Sequence, residues 1–104
     1  MALPSKTNQI VSLSDASKLT GNFRKSAGEA AIKGQSFWNE TLQKLLEQKG
    51  CVAVRFYYAQ KDDGTQTFVA VGVDQDGNDL TGGILGEENF PCPPWCSAPN
   101  QLNS

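Results

Sequence analysis

Two cysteines four residues apart, Cys92 and Cys96, sit in the segment Pro91-Cys92-Pro93-Pro94-Trp95-Cys96, and a third, Cys51, lies far upstream. Thiols offer three kinds of chemistry: a disulfide, a metal site, or reduced packing as small apolar groups. An extended polyproline path would part the Cα atoms of Cys92 and Cys96 by roughly 12 Å, whereas a disulfide needs them within about 7 Å. A local bond therefore requires the chain to turn near Pro94-Trp95. A dithiol redox site at a helix start uses a two-residue spacer, and neither the spacer nor the helix signal is present. Zinc normally takes four ligands. The chain has no His, so the fourth would be a carboxylate, a water or a partner's thiolate. Reduced structural cysteines, a disulfide among the three, and a metal or redox site all stay open. The odd count argues against a complete disulfide framework.

Cations supply the next candidates. Asn22, Arg24 and Lys33 stand near otherwise apolar segments. If Arg24 and Lys33 converge beside Trp38, they form an anion or nucleotide pocket with an indole available for cation–π contact. The competing reading is a helix entry with a salt-bridged surface. Arg55 falls inside a run of strand-forming residues and needs a carboxylate partner or a path to water. The stretch Val73-Asp-Gln-Asp-Gly-Asn-Asp79 is rich in oxygen donors. Counted from Asp74, however, Gly77 is fourth and Leu85 twelfth, where an EF-hand loop needs Gly sixth and Glu twelfth. A hairpin turn accounts for it better. No glycine-rich phosphate loop precedes a helix. Without His, a Ser or Cys nucleophile would need Lys as its base, and no spacing suggests such a pair.

These residues are positioned by a short series of elements. Ser12 or Ser14 reads as an N-cap, with Asp15 completing a weakened capping box. Leu13, Ala16, Leu19 and Phe23 follow at helical spacing, predicting a helix to about Arg24 in which Gly21 costs about 1 kcal/mol relative to Ala. Ser26–Ala31 reads as a connector. Phe37, Trp38, Thr41, Leu42, Leu45 and Leu46 line one face of a second helix, which Gly50 stops. The run Cys51–Ala59 is dense in β-branched and aromatic residues, and Thr67–Val73 continues as a second strand after the turn Asp62-Asp63-Gly64. The turn Asp76-Gly77 predicts a short third strand over Asn78–Thr81.

Alternation sorts the side chains into faces. Val52, Val54, Phe56 and Tyr58 are grouped with Val69, Val71 and Val73 as the face the helices cover. Cys51, Ala53 and Tyr57 are grouped with Phe68, Ala70 and Gly72 as the other. That second face lacks the Thr, Lys and Glu of a wet sheet surface. Ala53, Tyr57, Phe68, Ala70 and Trp95 are therefore the candidate interaction residues, with either the C-terminal tail or another chain as cover.

The whole chain sets the bounds. With 104 residues there is room for one core, and a single α+β domain over 1–104 is expected, loose at 1–10 and 98–104. Apolar content of 38% and mean hydropathy of -0.40 suit a globular protein, and no apolar run is long enough to span a bilayer. With no secretory signal at the start, a cytoplasmic location is the default. Nine basic and four acidic residues fall in 1–61, against seven acidic and none basic in 62–104. Turn chemistry explains much of that bias, although such a dipole could also steer a partner. A pI of 4.9 disfavours nucleic acid.

Several segments occur together in a recognisable order. They are Asn22-Phe23-Arg24, Ala31-Ile32-Lys33-Gly34 with Phe37, Gly50-Cys51-Val52 leading to Arg55-Phe56-Tyr57-Tyr58, Val71-Gly72-Val73-Asp74 with Gly77-Asn78-Asp79, and Pro91-Cys92-Pro93 with Cys96-Ser97. From about Leu13 to Ser97 the chain resembles a family of small bacterial proteins of similar length with no established activity. The resemblance implies only that the cysteines and the Lys33 segment belong to the design of the domain. The expectation is an α+β fold of two N-terminal helices packed on a small antiparallel β-meander of three or more strands, with an irregular Pro/Cys-rich C-terminal tail. Its role is expected to be a non-catalytic interaction or self-association module needing no cofactor, with a protein partner or a second copy, and no membrane. A thiol site at Cys51, Cys92 and Cys96 and a pocket at Asn22, Arg24, Lys33 and Trp38 are the alternatives.

Overall fold

The computed structural model describes residues 1–103, so the last residue of the expected loose tail lies outside the described residues. It is an α+β fold with two helices, a three-stranded antiparallel sheet and a two-stranded sheet. The elements run α1 (Leu13–Ala27), β1 (Gly34–Ser36), α2 (Asn39–Leu46), β2 (Ala53–Gln60), β3 (Gln66–Val73), β4 (Leu85–Gly86) and β5 (Phe90–Cys92). Two compact units divide the chain: Met1–Ser5 with Ser36–Phe90, and Lys6–Gln35 with Pro91 onward. Among the described residues no helix is long and apolar enough to cross a membrane.

In the second unit, α1 starts as its sequence dictates. Ser12 is the N-cap and its Oγ accepts from the Asp15 amide at 3.0 Å. The helix runs one turn past the expected end at Arg24, and stops at Gly28, whose φ of 88° few other residues tolerate. Downstream, Trp95 N donates to Pro91 O at 2.9 Å, bending the Pro-rich segment back on itself. Ala98–Asn103 forms turns held by the side chains of Asn100 and Asn103. Residues 1–10 carry neither helix nor strand.

The first unit is built on the β2–β3 hairpin. Its loop is closed by Lys61 N to Thr65 O at 2.8 Å and Gly64 N to Lys61 O at 2.9 Å, with Gly64 at φ 91°. A three-residue loop with glycine in the left-handed position fixes the register. Gln60 faces Gln66, Tyr58 faces Phe68, Phe56 faces Ala70 and Arg55 faces Val71. This corrects the expected faces. Directly paired residues share a face, so Val54, Phe56 and Tyr58 lie with Gly72, Ala70 and Phe68, while Ala53, Arg55 and Tyr57 lie with Val73, Val71 and Val69.

The helix covers the first of these faces, not an all-valine one. Gly86, paired with Ala70, has the Thr41 and Phe37 side chains close above it, so that a Cβ there would be tightly packed against Thr41. The Phe37 and Phe56 rings meet tilted at 5.7 Å, and those of Phe56 and Phe68 at 6.1 Å. Leu45 of α2 is wholly buried and Ala70 beneath is too. Two other expectations need revision. α2 begins at Asn39 rather than at Phe37, and ends at Leu46, with Glu47 as its cap and Gly50 four residues on. The third strand expected over Asn78–Thr81 reduces to a single bridge, Val73 to Asp79, and β4 lies further along the chain.

Candidate functional site

β2 is an edge strand, because the sheet order is β2-β3-β4. In an antiparallel ladder alternate residues aim both backbone groups at the same neighbour. Val73 O accepts from Val52 N and Thr65 O from Lys61 N, so the odd-numbered residues of β3 face β2. Gly72 O accepts from Leu80 N at 2.9 Å and Phe68 O from Asn89 Nδ2 at 2.9 Å, so its even-numbered residues face away. The registry pairs odd with odd. The backbone N–H and C=O groups of Val54, Phe56 and Tyr58 therefore point outward from β2, where no strand of the described residues pairs with them.

The two edges of the hairpin are treated differently. Along β3, the outward positions 68, 70 and 72 are closed by the Asn89 side chain, by β4 and by the Leu80 amide. Asn89 is itself anchored, since its Nδ2 also donates to Thr67 Oγ1, which donates to Glu87 at 2.9 Å. The Glu88 amide and then the Thr67 hydroxyl hold the Glu87 carboxyl below its ordinary range. Along β2 there is no such closure. The strand has eight residues with no Pro and no Lys, the devices that usually blunt an edge. Its side chains are open as well: Tyr58 is 86% exposed, Tyr57 46% and Phe56 44%.

One charge remains on the strand, and it is neutralised over the sheet. Arg55 Nη1 donates to Asp79 Oδ1, and the Tyr57 hydroxyl donates to Asp79 Oδ2. Arg55 also reaches Gly77 O at 3.4 Å. The Tyr57 hydrogen bond, then that from Arg55 and its charge, hold the Asp79 carboxyl below the ordinary range. Tyr57 is correspondingly raised by its bond to Asp79. The partner the sequence demanded for Arg55 is thus Asp79, reached through the Asp76-Gly77 turn, where Gly77 has φ 83°.

The other candidates are distributed as follows. Cys92 and Cys96 form a disulfide with Cα atoms 4.6 Å apart, and Cys51 is a free thiol whose Sγ donates to Ala53 O at 3.2 Å. Among the described residues, no three His, Cys, Asp or Glu side chains are grouped to hold a metal ion. Arg24 and Lys33 do come together, lining a cavity of about 250 Å³ with Leu19, Thr20, Phe23 and Leu102. Both cations are engaged there: Arg24 Nη1 donates to Leu102 O at 2.6 Å and Lys33 Nζ to Asn103 O at 3.5 Å. Asn22 is exposed on α1. Trp38 belongs to the first unit, where its ring meets Phe90 edge-on at 5.5 Å. Of the expected interaction face, Ala53 and Tyr57 lie on one side of the hairpin and Phe68 and Ala70 on the other, while Trp95 belongs to the second unit. The open edge of β2 joins the two sides. No family model, curated protein or solved structure matches the chain.

Proposed function

We propose that this protein is a non-catalytic interaction module that takes an extended polypeptide strand onto the open edge of β2. The observation that carries the reading is the outward-facing row of backbone groups at Val54, Phe56 and Tyr58 on an eight-residue edge without Pro or Lys. Strand addition draws affinity from main-chain hydrogen bonds and selectivity from alternate side chains. Here Phe56 and Tyr58 offer aromatic contacts on one side of the added strand, and Tyr57 with the Asp79-bound Arg55 on the other. The partner is accordingly a strand with apolar or aromatic residues at alternate positions and no Lys or Arg opposite Arg55.

A synthetic peptide with the sequence of β3, Gln66–Val73, flanked by lysines, is a suitable probe, because that strand already fits the other edge of β2. Binding should shift the amide resonances of Val54, Phe56 and Tyr58. The variant Tyr58→Pro removes an N–H that bonds nothing within the sheet, so the fold should persist while peptide affinity drops about tenfold or more. Equal binding by the wild type and Tyr58→Pro would refute the reading.

A further inference from the structure

We infer that the strand which β2 accepts is β2 of a second copy, paired antiparallel about a two-fold axis at Phe56; this rests on the strand-addition reading above. A two-fold axis normal to the sheet brings identical edges together antiparallel, so each outward residue must face another outward residue. Only registers two residues apart are then available. One centred on Arg55 sets two guanidinium groups directly opposite each other, which is destabilising. Another centred on Tyr57 sets Arg55 against Ala59 and Val54 against Gln60, which leaves the cation and the aliphatic side chain without matching partners.

The register centred on Phe56 resolves both. Phe56 faces Phe56 and Val54 faces Tyr58 of the second copy, pairing aromatic with aromatic and with β-branched groups. On the other side Arg55 faces Tyr57 of the second copy, a cation over an aromatic ring. Each Arg55 is bonded to Asp79 of its own chain, so the two guanidinium groups near the axis arrive already neutralised. Ala53 faces Ala59, placing small residues at both ends. Seven residues on each strand pair, and the two three-stranded sheets become one of six. This edge is closed by its own copy rather than by a helix or a proline.

Sedimentation across a concentration range, with cross-linking in a Cys51→Ser background, tests the pairing. Phe56→Cys should cross-link under mild oxidation, because hydrogen-bonded partners stand about 5.5 Å apart between Cα atoms, within disulfide range. Tyr57→Cys should not, since in this register its own copy lies about 8 Å away. Val54→Cys mixed with Tyr58→Cys gives the same readout without disturbing Phe56. Tyr58→Pro should raise the dimer dissociation constant about tenfold or more, as two inter-chain hydrogen bonds are lost. A dimer insensitive to Tyr58→Pro, or cross-linked through Tyr57→Cys instead, overturns the inference. A protein that stays monomeric yet binds the β3 peptide overturns the second copy alone; one that does neither overturns the strand-addition reading as well.

Discussion

Asp79 accepts hydrogen bonds from two groups on alternate positions of one strand, Arg55 and Tyr57, and so fixes the side chains on one flank of the edge. Its carboxyl is lowered when folded, so its contribution is complete above its unfolded value of about 3.9 and disappears as pH falls through the lower folded one. Asp63, lowered by the Thr65 amide, and Glu87 titrate in the same direction. Asp79→Asn should therefore shrink, without abolishing, the loss of stability as pH falls below about 4, measured by urea denaturation. An unchanged acid profile would show that Asp79 contributes nothing through its charge. That Arg55 needed a carboxylate could be read from its place in a strand. Which carboxylate could not, because Asp79 is brought across by a turn and a single bridge rather than by a periodic element.

At the scale of elements, alternation placed both strands of the hairpin to within two residues, and Gly64 in the expected turn has the positive φ that glycine allows. The faces were misjudged for one reason. Side chains change sides with every residue, so the parity of the connecting loop decides which faces meet. Grouping valine with valine implied an odd offset, whereas the three-residue loop Asp62–Gly64 imposes an even one. Phe37, just ahead of α2, therefore meets Phe56 on this face and leaves it partly exposed, while Leu45 is the fully buried residue of α2. Leu45→Ala should cost about 2–5 kcal/mol, seen as a lower denaturation midpoint with an unchanged slope. A cost under about 1 kcal/mol would mean that α2 is not what seals this face. β1, β5 and β4 are two or three residues long, too short for any pattern to announce them.

For the whole molecule, composition and the succession of helix and strand signals sufficed for the α+β class. The geometric condition on the Cys pair, a turn near Pro94-Trp95, is met, and the bond forms between Cys92 and Cys96 while Cys51 stays free. Arg24 and Lys33 line one cavity, which Trp38 does not, and their engagement with backbone carbonyls near the C-terminus has no signature in sequence, since it depends on where an irregular tail returns. The feature now given a function, an open edge, was equally hidden: a strand at an edge and one at a centre share the same alternation. Amide hydrogen exchange along β2 tests it most directly. In dilute solution the amides of Ala53, Arg55, Tyr57 and Ala59 should be protected while those of Val54, Phe56 and Tyr58 exchange freely. At high concentration the second set should become protected too. Free exchange at Val54, Phe56 and Tyr58 at every concentration, with the β3 peptide present or absent, would contradict an edge that accepts a strand.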